Sequence, residues 1–395
     1  MTTRRAVITG IGLITPQCDD PDFAWHRAIA GQLTTSYKEA LGGHAATVSD
    51  EQITSGLSVR NARKIDRFSH LGLVAVQRAL ADAGLDTASL DVWRTGTIVG
   101  NCFGGWAYTD RELRHLYQEG GCSREVSPFQ ATAWFPAAVQ GQISLHLGLK
   151  GYSKTVMADR ASGLVSIGMG ARLIETGKLD CAIAGGSEAI DTDFIYAALK
   201  TSSDTLSQDG HYAPFSDGAK GFVPAEGACF LILESEERAA RRGRQPYAIV
   251  ESSALRNEPG FDRAMPATHH ALEQAMRAAA GNRDVDCVVA DGMASVDADR
   301  QEIQAIRHAV GARTPITAPK AAFGQLFGAA GALDCALASL MLKKQAMLPF
   351  PLHGDSRQDD TRFIQQLTEA TLYRVLINGR GFGGCAASLS LTRFS

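Results

Sequence analysis

The chain has 395 residues, of which 45% are hydrophobic and 21% are charged, and this ordinary composition excludes wholesale disorder. Its length predicts two domains or one large duplicated fold. The formal net charge of -3 and the pI of about 6.4 lack the basic excess of a nucleic-acid-binding protein. No run approaches the roughly 18 apolar residues that a membrane span requires.

The first segment, MTTRRAVITGIGLITP, superficially resembles a signal peptide because two arginines precede an apolar stretch. The apolar part is short, contains glycines and lacks a small-residue cleavage site, so a strand over residues 6–16 fits better. The eight cysteines are scattered, without a CxxC pair or metal-ligand spacing. This pattern predicts reduced thiols, a cytoplasmic location and no metal site.

Strand and helix patterns alternate along the rest of the chain. A helix is predicted over residues 61–84, where apolar residues recur at helical spacing and Gly84 is a stop signal. Further predicted elements are a helix over 162–177, strands over 181–190 and within 222–235, a strand near 246, a helix over 265–280, a strand over 287–294, helices over 299–310 and 328–345, and two strands within 370–393. The alternation predicts an α/β protein with two related halves, residues 1–250 and 251–395.

The segment TVMADRASGLVS (155–166) is where a reactive side chain would be displayed. A strand that runs into a turn of small residues and then a helix exposes the turn residue, and the helix dipole favours a thiolate there. The turn residue is Arg160, which stays protonated and cannot attack a carbonyl. Because a cation at a helix N-terminus is mildly unfavourable, we expect an acidic partner.

Several motifs, in order, resemble those of the thiolase-fold β-ketoacyl synthases along essentially the whole chain. MADRASG (157–163) is in frame with the family's nucleophile motif TACxSG. The stretches AGGSEA (184–189), YAPFSDGAKGFVPAEGACFLILE (212–234) and GFGG (381–384) match further landmarks of the family. The resemblance implies an α/β thiolase fold with a duplicated αβαβα layered architecture, and no cofactor.

The family's three catalytic positions carry other residues in this sequence. Arg160 stands at the position of the cysteine, Asp291 at that of the first histidine, in ADGMAS, and Gln325 at that of the second, in KAAFGQLFGAAG. Only Lys320 of the last motif is kept, and Asp159 and Asp291 are the candidates for the acidic partner of Arg160. The cysteine carries the growing chain, and the histidines donate hydrogen bonds to thioester and enolate oxygens, which the three replacements cannot do. The resemblance therefore implies a protein without catalytic residues of its own.

One branch of the family lacks the nucleophile: the chain length factors, or ketosynthase β subunits, of type II polyketide synthases. The chain resembles this branch in VADG and in FGGWAYTDRELRHLYQEG (103–120) followed by AWFPAAVQGQISLHLGLKG (133–151). It departs from the branch at Arg160, where those proteins usually carry a glutamine. An auxiliary decarboxylation role proposed for that glutamine therefore does not transfer to this chain.

In chain length factors, the matching segment continues the tunnel that measures the polyketide. The resemblance implies a chain-length gate at Trp106, Thr109 and Leu113, whose spacings of three and four residues put them on one helical face. Phe194 is a further candidate for the tunnel wall. The alternative that Trp106 and Leu113 are ordinary core residues stays open.

The resemblance also implies two protein partners, a ketosynthase α subunit in a heterodimer and an acyl carrier protein with the growing chain. Trp134 and Phe135 lie where the family has its dimer interface, although they could instead belong to the intramolecular core. The family's fold further implies a ten-stranded sheet that continues across the two subunits. Neither a nucleic acid nor a membrane is an expected partner.

Two other interpretations remain open at the level of sequence. An acyltransferase or priming synthase could have moved its nucleophile, with Ser162 as the nearest hydroxyl, although no histidine is positioned as its base. Alternatively, a purely structural ketosynthase partner in an aryl polyene or fatty-acid-type system would not measure chain length.

Overall fold

A computed structural model describes residues 4–53, 59–201, 206–258, 268–350 and 362–395. Within these ranges, the strands are β1 (Ala6–Ile14), β2 (Ser36–Lys38), β3 (Gly43–Ala45), β4 (Thr95–Gly100), β5 (Lys154–Val156), β6 (Cys181–Glu188), β7 (Gly227–Ser235), β8 (Ala248–Asn257), β9 (Cys287–Val289), β10 (Ile316–Thr317), β11 (Ala346–Met347), β12 (Thr368–Glu369), β13 (Arg374–Arg380) and β14 (Cys385–Thr392). The helices are α1 (Pro21–Ala30), α2 (Val59–Ala62), α3 (Arg67–Ala83), α4 (Trp106–Tyr117), α5 (Gln130–Ala133), α6 (Ala138–Leu147), α7 (Ser162–Glu175), α8 (Asp193–Lys200), α9 (Glu236–Arg241), α10 (His270–Ala280), α11 (Val296–Val310) and α12 (Ala330–Lys344). No helix in these ranges is both long enough and apolar enough to cross a membrane.

In the part of the chain that the structure describes, ten strands form one mixed sheet in the order β10-β9-β13-β14-β8-β1-β7-β6-β4-β5. The order is a duplication, because β1-β7-β6-β4-β5 is repeated as β8-β14-β13-β9-β10 with parallel pairs at equivalent places. The two halves join where β1 pairs antiparallel with β8 and Ala6 faces Val250. The predicted ten-stranded sheet across two subunits is therefore wrong in one respect: this chain alone contributes all ten strands.

The helices form layers on both sides of the two half-sheets. Helices α7 and α12 pack on each other and contact strands of both halves, so they form the middle layer. Helices α3 and α6 cover the first half, and α10 and α11 cover the second. The start of α7 contacts the segment just before α12 so closely that position 163 requires glycine. A Cβ on Gly163 would lie 2.7 Å from the Gly328 carbonyl oxygen. The arrangement is the predicted duplicated αβαβα architecture.

The predicted single helix over residues 61–84 is wrong. Helix α2 ends at Ala62 and α3 begins at Arg67. Asp66 separates them, because its backbone is extended (ψ 160°) and its carboxylate caps α3 by accepting a hydrogen bond from the Phe68 N–H. The other Asp66 oxygen accepts from the Tyr108 N–H at 2.6 Å, so the break also positions α4.

The strand predicted within residues 222–235 is β7, which begins at Gly227. The helix predicted over 265–280 begins at His270, and residues 259–267, which include its first three predicted positions, lie outside the described residues.

Candidate functional site

Arg160 lies in the turn between β5 and α7, at the N-terminal end of that helix. Asp159 makes the turn sharp by adopting a left-handed backbone conformation (φ 51°). The Arg160 side chain is completely buried. Its guanidinium carbon lies 4.5 Å from the centre of the Phe382 ring and 5.9 Å from that of Phe222. Cation–π contacts thus replace part of the lost hydration of this cation.

Asp291, which follows β9, is the expected acidic partner of Arg160. Its Oδ2 lies 3.8 Å from Arg160 Nη1 and 3.3 Å from Arg380 Nε, and its Oδ1 lies 3.5 Å from Lys320 Nζ. Burial alone would raise the pKa of Asp291, but these three cations together hold it below its ordinary value. Asp159, the other candidate partner, instead accepts a hydrogen bond from the Phe382 N–H at 2.5 Å.

Two more carboxylates balance the charge of this pocket. Asp334 on α12 lies 2.7 Å from Lys320 Nζ, and Glu302 on α11 lies 3.0 Å from Arg380 Nη2. Glu302 also accepts a hydrogen bond from the Asp291 N–H at 2.8 Å. Burial raises the pKa of Asp334 to about 6, although Lys320 opposes the rise. Three buried cations are thus matched by three buried carboxylates, so no charge in the set is left alone in a dry interior.

Gln325, the residue predicted at the position of the second histidine, lies in the loop before α12. Its Oε1 accepts a hydrogen bond from the Phe327 N–H at 3.2 Å, and its backbone bonds to Val223 and Ala225. Its Nε2 is buried and has no hydrogen-bond partner among the described residues. An amide does not titrate, so this position cannot exchange a proton with a substrate.

Two potential nucleophiles, Cys102 and Ser162, adjoin the same turn. The Cys102 Sγ donates to Asp159 Oδ1 at 3.0 Å, and burial together with that carboxylate raises the pKa of Cys102 well above its ordinary value. The Ser162 Oγ donates to the Asp159 carbonyl at 2.5 Å and accepts from the Ala158 N–H at 2.8 Å. No described histidine bonds to it. Neither group is activated for attack on a thioester.

The four predicted tunnel residues lie on α4 and α8. The Trp106 ring stacks on Phe194, with centres 4.1 Å apart and planes 16° apart. Thr109 is buried, and its hydroxyl donates to the Gly105 carbonyl. Leu113, one turn further along α4, is exposed in this single chain. The alternative that these are core residues is wrong for Leu113 and stays open for Trp106, which is half-buried and packs against an apolar cluster.

Aromatic side chains connect the start of α4 with the Arg160 pocket. The centre of the Phe103 ring lies 4.8 Å from that of the Phe327 ring. The Phe327 centre lies 5.7 Å from that of Phe222, which flanks Arg160. Trp106 packs against the same apolar cluster. The stacked pair on α4 and α8 is therefore connected by packing to the surroundings of Arg160.

Glu188 has a structural role in the site that is not among the sequence predictions. It is fully buried at the end of β6, and its oxygens accept hydrogen bonds from the N–H groups of Cys102, Phe103 and Gly328 and from Asn101 Nδ2, at 2.7 to 3.2 Å. It thus fixes the loop between β4 and α4 against the segment before α12. The available signal was its place in the AGGSEA motif.

Several large apolar side chains between residues 134 and 157 are exposed. Trp134 and Phe135 contact each other edge to face and are 41% and 53% exposed, so the alternative that they are core residues is wrong. Leu145, Tyr152 and Met157 are also exposed near the edge strand β5 in the sequence. Exposed apolar side chains of this size are typical of protein–protein interfaces.

The duplicated αβαβα fold, with Arg160, Asp291 and Gln325 at the ends of its central elements, defines a condensing-enzyme scaffold without a cysteine or histidine at those positions. The chain belongs to the β-ketoacyl synthase family. The family model for the N-terminal domain matches residues 3–239, and that for the C-terminal domain matches residues 247–353.

The relatives refine this assignment and confirm the predicted resemblance. The chain is 33% identical to a putative polyketide β-ketoacyl synthase 2 of Streptomyces halstedii, over 99% of this chain and 97% of the relative. It is 30% identical to the tetracenomycin polyketide synthase ketoacyl synthase β subunit of Streptomyces glaucescens, over 98% of each. The solved ishigamide ketosynthase/chain length factor has the same fold, with a TM-score of 0.90 over 100% of both chains at 24% identity.

Proposed function

We propose that this chain is the non-catalytic chain length factor of a type II polyketide synthase, paired with a ketosynthase that supplies the cysteine and both histidines. The observation that carries the proposal is the buried Arg160–Asp291 pair at the position of the nucleophile. A guanidinium cannot form a thioester, and the balanced charges around it leave no titratable group free for condensation. Relatives that are named as polyketide synthase subunits support the same role.

We infer that α4 and α8 form the end of the polyketide tunnel. A poly-β-ketone requires a dry apolar tube that prevents early cyclisation, and bulk at the end of the tube limits the number of units. The Trp106–Phe194 stack supplies that bulk next to the aromatic cluster. Thr109 and Leu113 follow on the same helix and would line the wall that the partner completes.

Product length tests this part of the proposal. We expect Trp106→Ala, in a complex co-expressed with the ketosynthase, to give longer products because the variant removes the floor of the tunnel. Trp93→Ala is the matched control, since Trp93 is 67% exposed and contacts Lys150 at the surface. Unchanged lengths for both Trp106→Ala and Phe194→Ala, in intact complexes, would favour a purely structural partner.

Acylation tests the non-catalytic part of the proposal. The complex is exposed to malonyl-loaded acyl carrier protein, and the intact mass of each subunit is measured. We expect acyl mass only on the ketosynthase. Acyl mass on this chain would support the enzyme interpretation, and peptide mapping would then distinguish Ser162 from Cys102.

The proposal includes two partners and a location. The ketosynthase would cover the surface around Trp134 and Phe135 and extend the sheet at β5. An acyl carrier protein would deliver malonyl units to the complex. The eight free thiols are consistent with a cytoplasmic location, which fractionation of the producing cells would test.

A further inference from the structure

Three potential metal ligands converge on the helices that cover the second half of the sheet. His269 immediately precedes α10, Glu273 lies in the first turn of α10, and His308 lies in the last turn of α11. The His269 Nε2 and His308 Nδ1 atoms are 3.1 Å apart, and Glu273 Oε2 lies 3.6 Å from the first and 3.5 Å from the second. No other group of three or more His, Cys, Asp or Glu side chains in the described ranges brings its ligand atoms together in this way.

These distances fit a small tetrahedral cation. The three separations average about 3.4 Å, and ligand atoms held at about 2.1 Å from a tetrahedral ion are also about 3.4 Å apart. A hydrogen bond can join only two of the three ligand atoms. A single cation at the centre would satisfy all three atoms.

A neighbouring cation orients the carboxylate of the three ligands. The Arg277 Nε donates to Glu273 Oε1 at 2.9 Å, which orients the carboxylate and leaves Oε2 directed at the histidines.

We propose that His269, Glu273 and His308 bind Zn²⁺ or a similar divalent cation that prefers imidazole, with water in the fourth position. Two histidines and one carboxylate with an open position are a known zinc ligand set. The side chain of His308 is half exposed, so the open position faces solvent. The bound ion would join the start of α10 to the end of α11 and stabilise the outer layer of the second half.

The sequence does not predict this metal site, because the spacing of the cysteines gives no information about histidine and glutamate ligands. Glu273 follows His269 by one helical turn, which alone is a common surface pair. His308 comes from the far end of the next helix, and only the packing of α10 on α11 brings it to the other two.

Zinc binding by the untagged full chain tests the proposal. The background is Cys122→Ser, since the exposed Cys122 thiol could itself bind Zn²⁺. We expect equilibrium dialysis to give one equivalent of Zn²⁺. His269→Ala and His308→Ala should weaken binding by more than the roughly 10- to 100-fold that changes outside the ligand shell produce. His270→Ala is the matched control and should keep the affinity, because His270 is not a member of the triad.

Thermal unfolding gives a second readout, since an ion that binds only the folded protein raises the midpoint. Zn²⁺ should raise the midpoint of the Cys122→Ser chain and of its His270→Ala variant, and should not raise that of His308→Ala. Glu273→Gln provides the same comparison if an alanine variant fails to fold. Absence of bound Zn²⁺, or equal binding by the triad variants and the background chain, would overturn the proposal.

Discussion

At the scale of single residues, the buried charges around Arg160 indicate a structural role for this side chain. Its cation is buried with Asp291, so removing it leaves that carboxylate with fewer countercharges and opens a cavity. We expect Arg160→Ala to lower the free energy of unfolding by about 3 kcal/mol, measured by chemical denaturation. Arg172→Ala, at an exposed position of α7, should change it by less than about 0.5 kcal/mol.

A double-mutant cycle separates this ion pair from general packing. The effects of Arg160→Ala and Asp291→Asn should be non-additive by at least about 1 kcal/mol, because the two side chains interact directly. Strict additivity, or an Arg160→Ala effect as small as that of Arg172→Ala, would contradict the structural role.

Asp299 in the first turn of α11 predicts a pH dependence of stability. Burial is the main reason that its pKa rises to about 7 from an ordinary value of 3.8, although its Oδ2 accepts from the Phe215 N–H. Between about pH 4 and 7, Asp299 is therefore protonated in the folded protein and ionised in the unfolded chain. The stability from this proton is complete below about pH 4 and is lost as the pH rises through 7, by up to about 1.4 kcal/mol per pH unit.

Asp299→Asn should remove this slope, because an amide resembles the protonated carboxyl and does not titrate. Denaturation of both proteins at several values between pH 4 and 8 measures the difference. Curves that stay parallel over this range would show that Asp299 is ionised in the folded protein and would contradict the expectation.

At the scale of elements, Glu188 holds the loop that leads from β4 into α4. Each of its oxygens accepts hydrogen bonds from N–H donors, so an amide at this position would set its NH₂ group against donors. We expect Glu188→Gln to lower the free energy of unfolding by about 1–3 kcal/mol in spite of its equal size. Glu237→Gln, at an exposed position of α9, is the control and should have almost no effect, measured by the same denaturation.

The same loop contains Cys102 and Phe103 and leads to Trp106, the first residue of α4. We therefore expect Glu188→Gln to affect the tunnel as well. The complex should give a broader distribution of product lengths, because the start of α4 is held less firmly. A destabilised complex with an unchanged distribution would separate the role of Glu188 in stability from any role in the tunnel.

The order of motifs predicted the α/β thiolase fold and the three replaced positions, because each motif is local in the sequence. The partners of the buried charges were not predictable in this way. Glu302 and Arg380 come from α11 and β13, and their contacts with Asp291 depend on packing. The break before α3 could be predicted from the sequence, because an aspartate before an apolar periodic run, here Asp66, is an N-cap signal.

At the scale of the whole molecule, duplication explains why one chain forms a complete ten-stranded sheet. The pairing of β1 with β8 joins the half-sheets, and it could not be predicted because the two strands are far apart in the sequence. β5 lies at one edge of the sheet, and among the described strands only β4 pairs with it. An open edge beside exposed apolar side chains is a surface that a partner subunit would cover.

Trp134 and Phe135 provide the test of this surface, since aromatic anchors dominate the energies of protein interfaces. Phe135→Asp should weaken the complex with the ketosynthase by roughly 30-fold or more, which corresponds to the loss of about 2 kcal/mol at a hot spot. The chain itself should stay folded, because Phe135 is 53% exposed and contributes little to the core. Native mass spectrometry over a dilution series measures the dissociation, and circular dichroism checks the fold. Tyr373→Asp, at a 62% exposed position before β13 in the second half of the sheet, should leave the complex intact, whereas equal dissociation of the two variants would mean that the partner binds elsewhere.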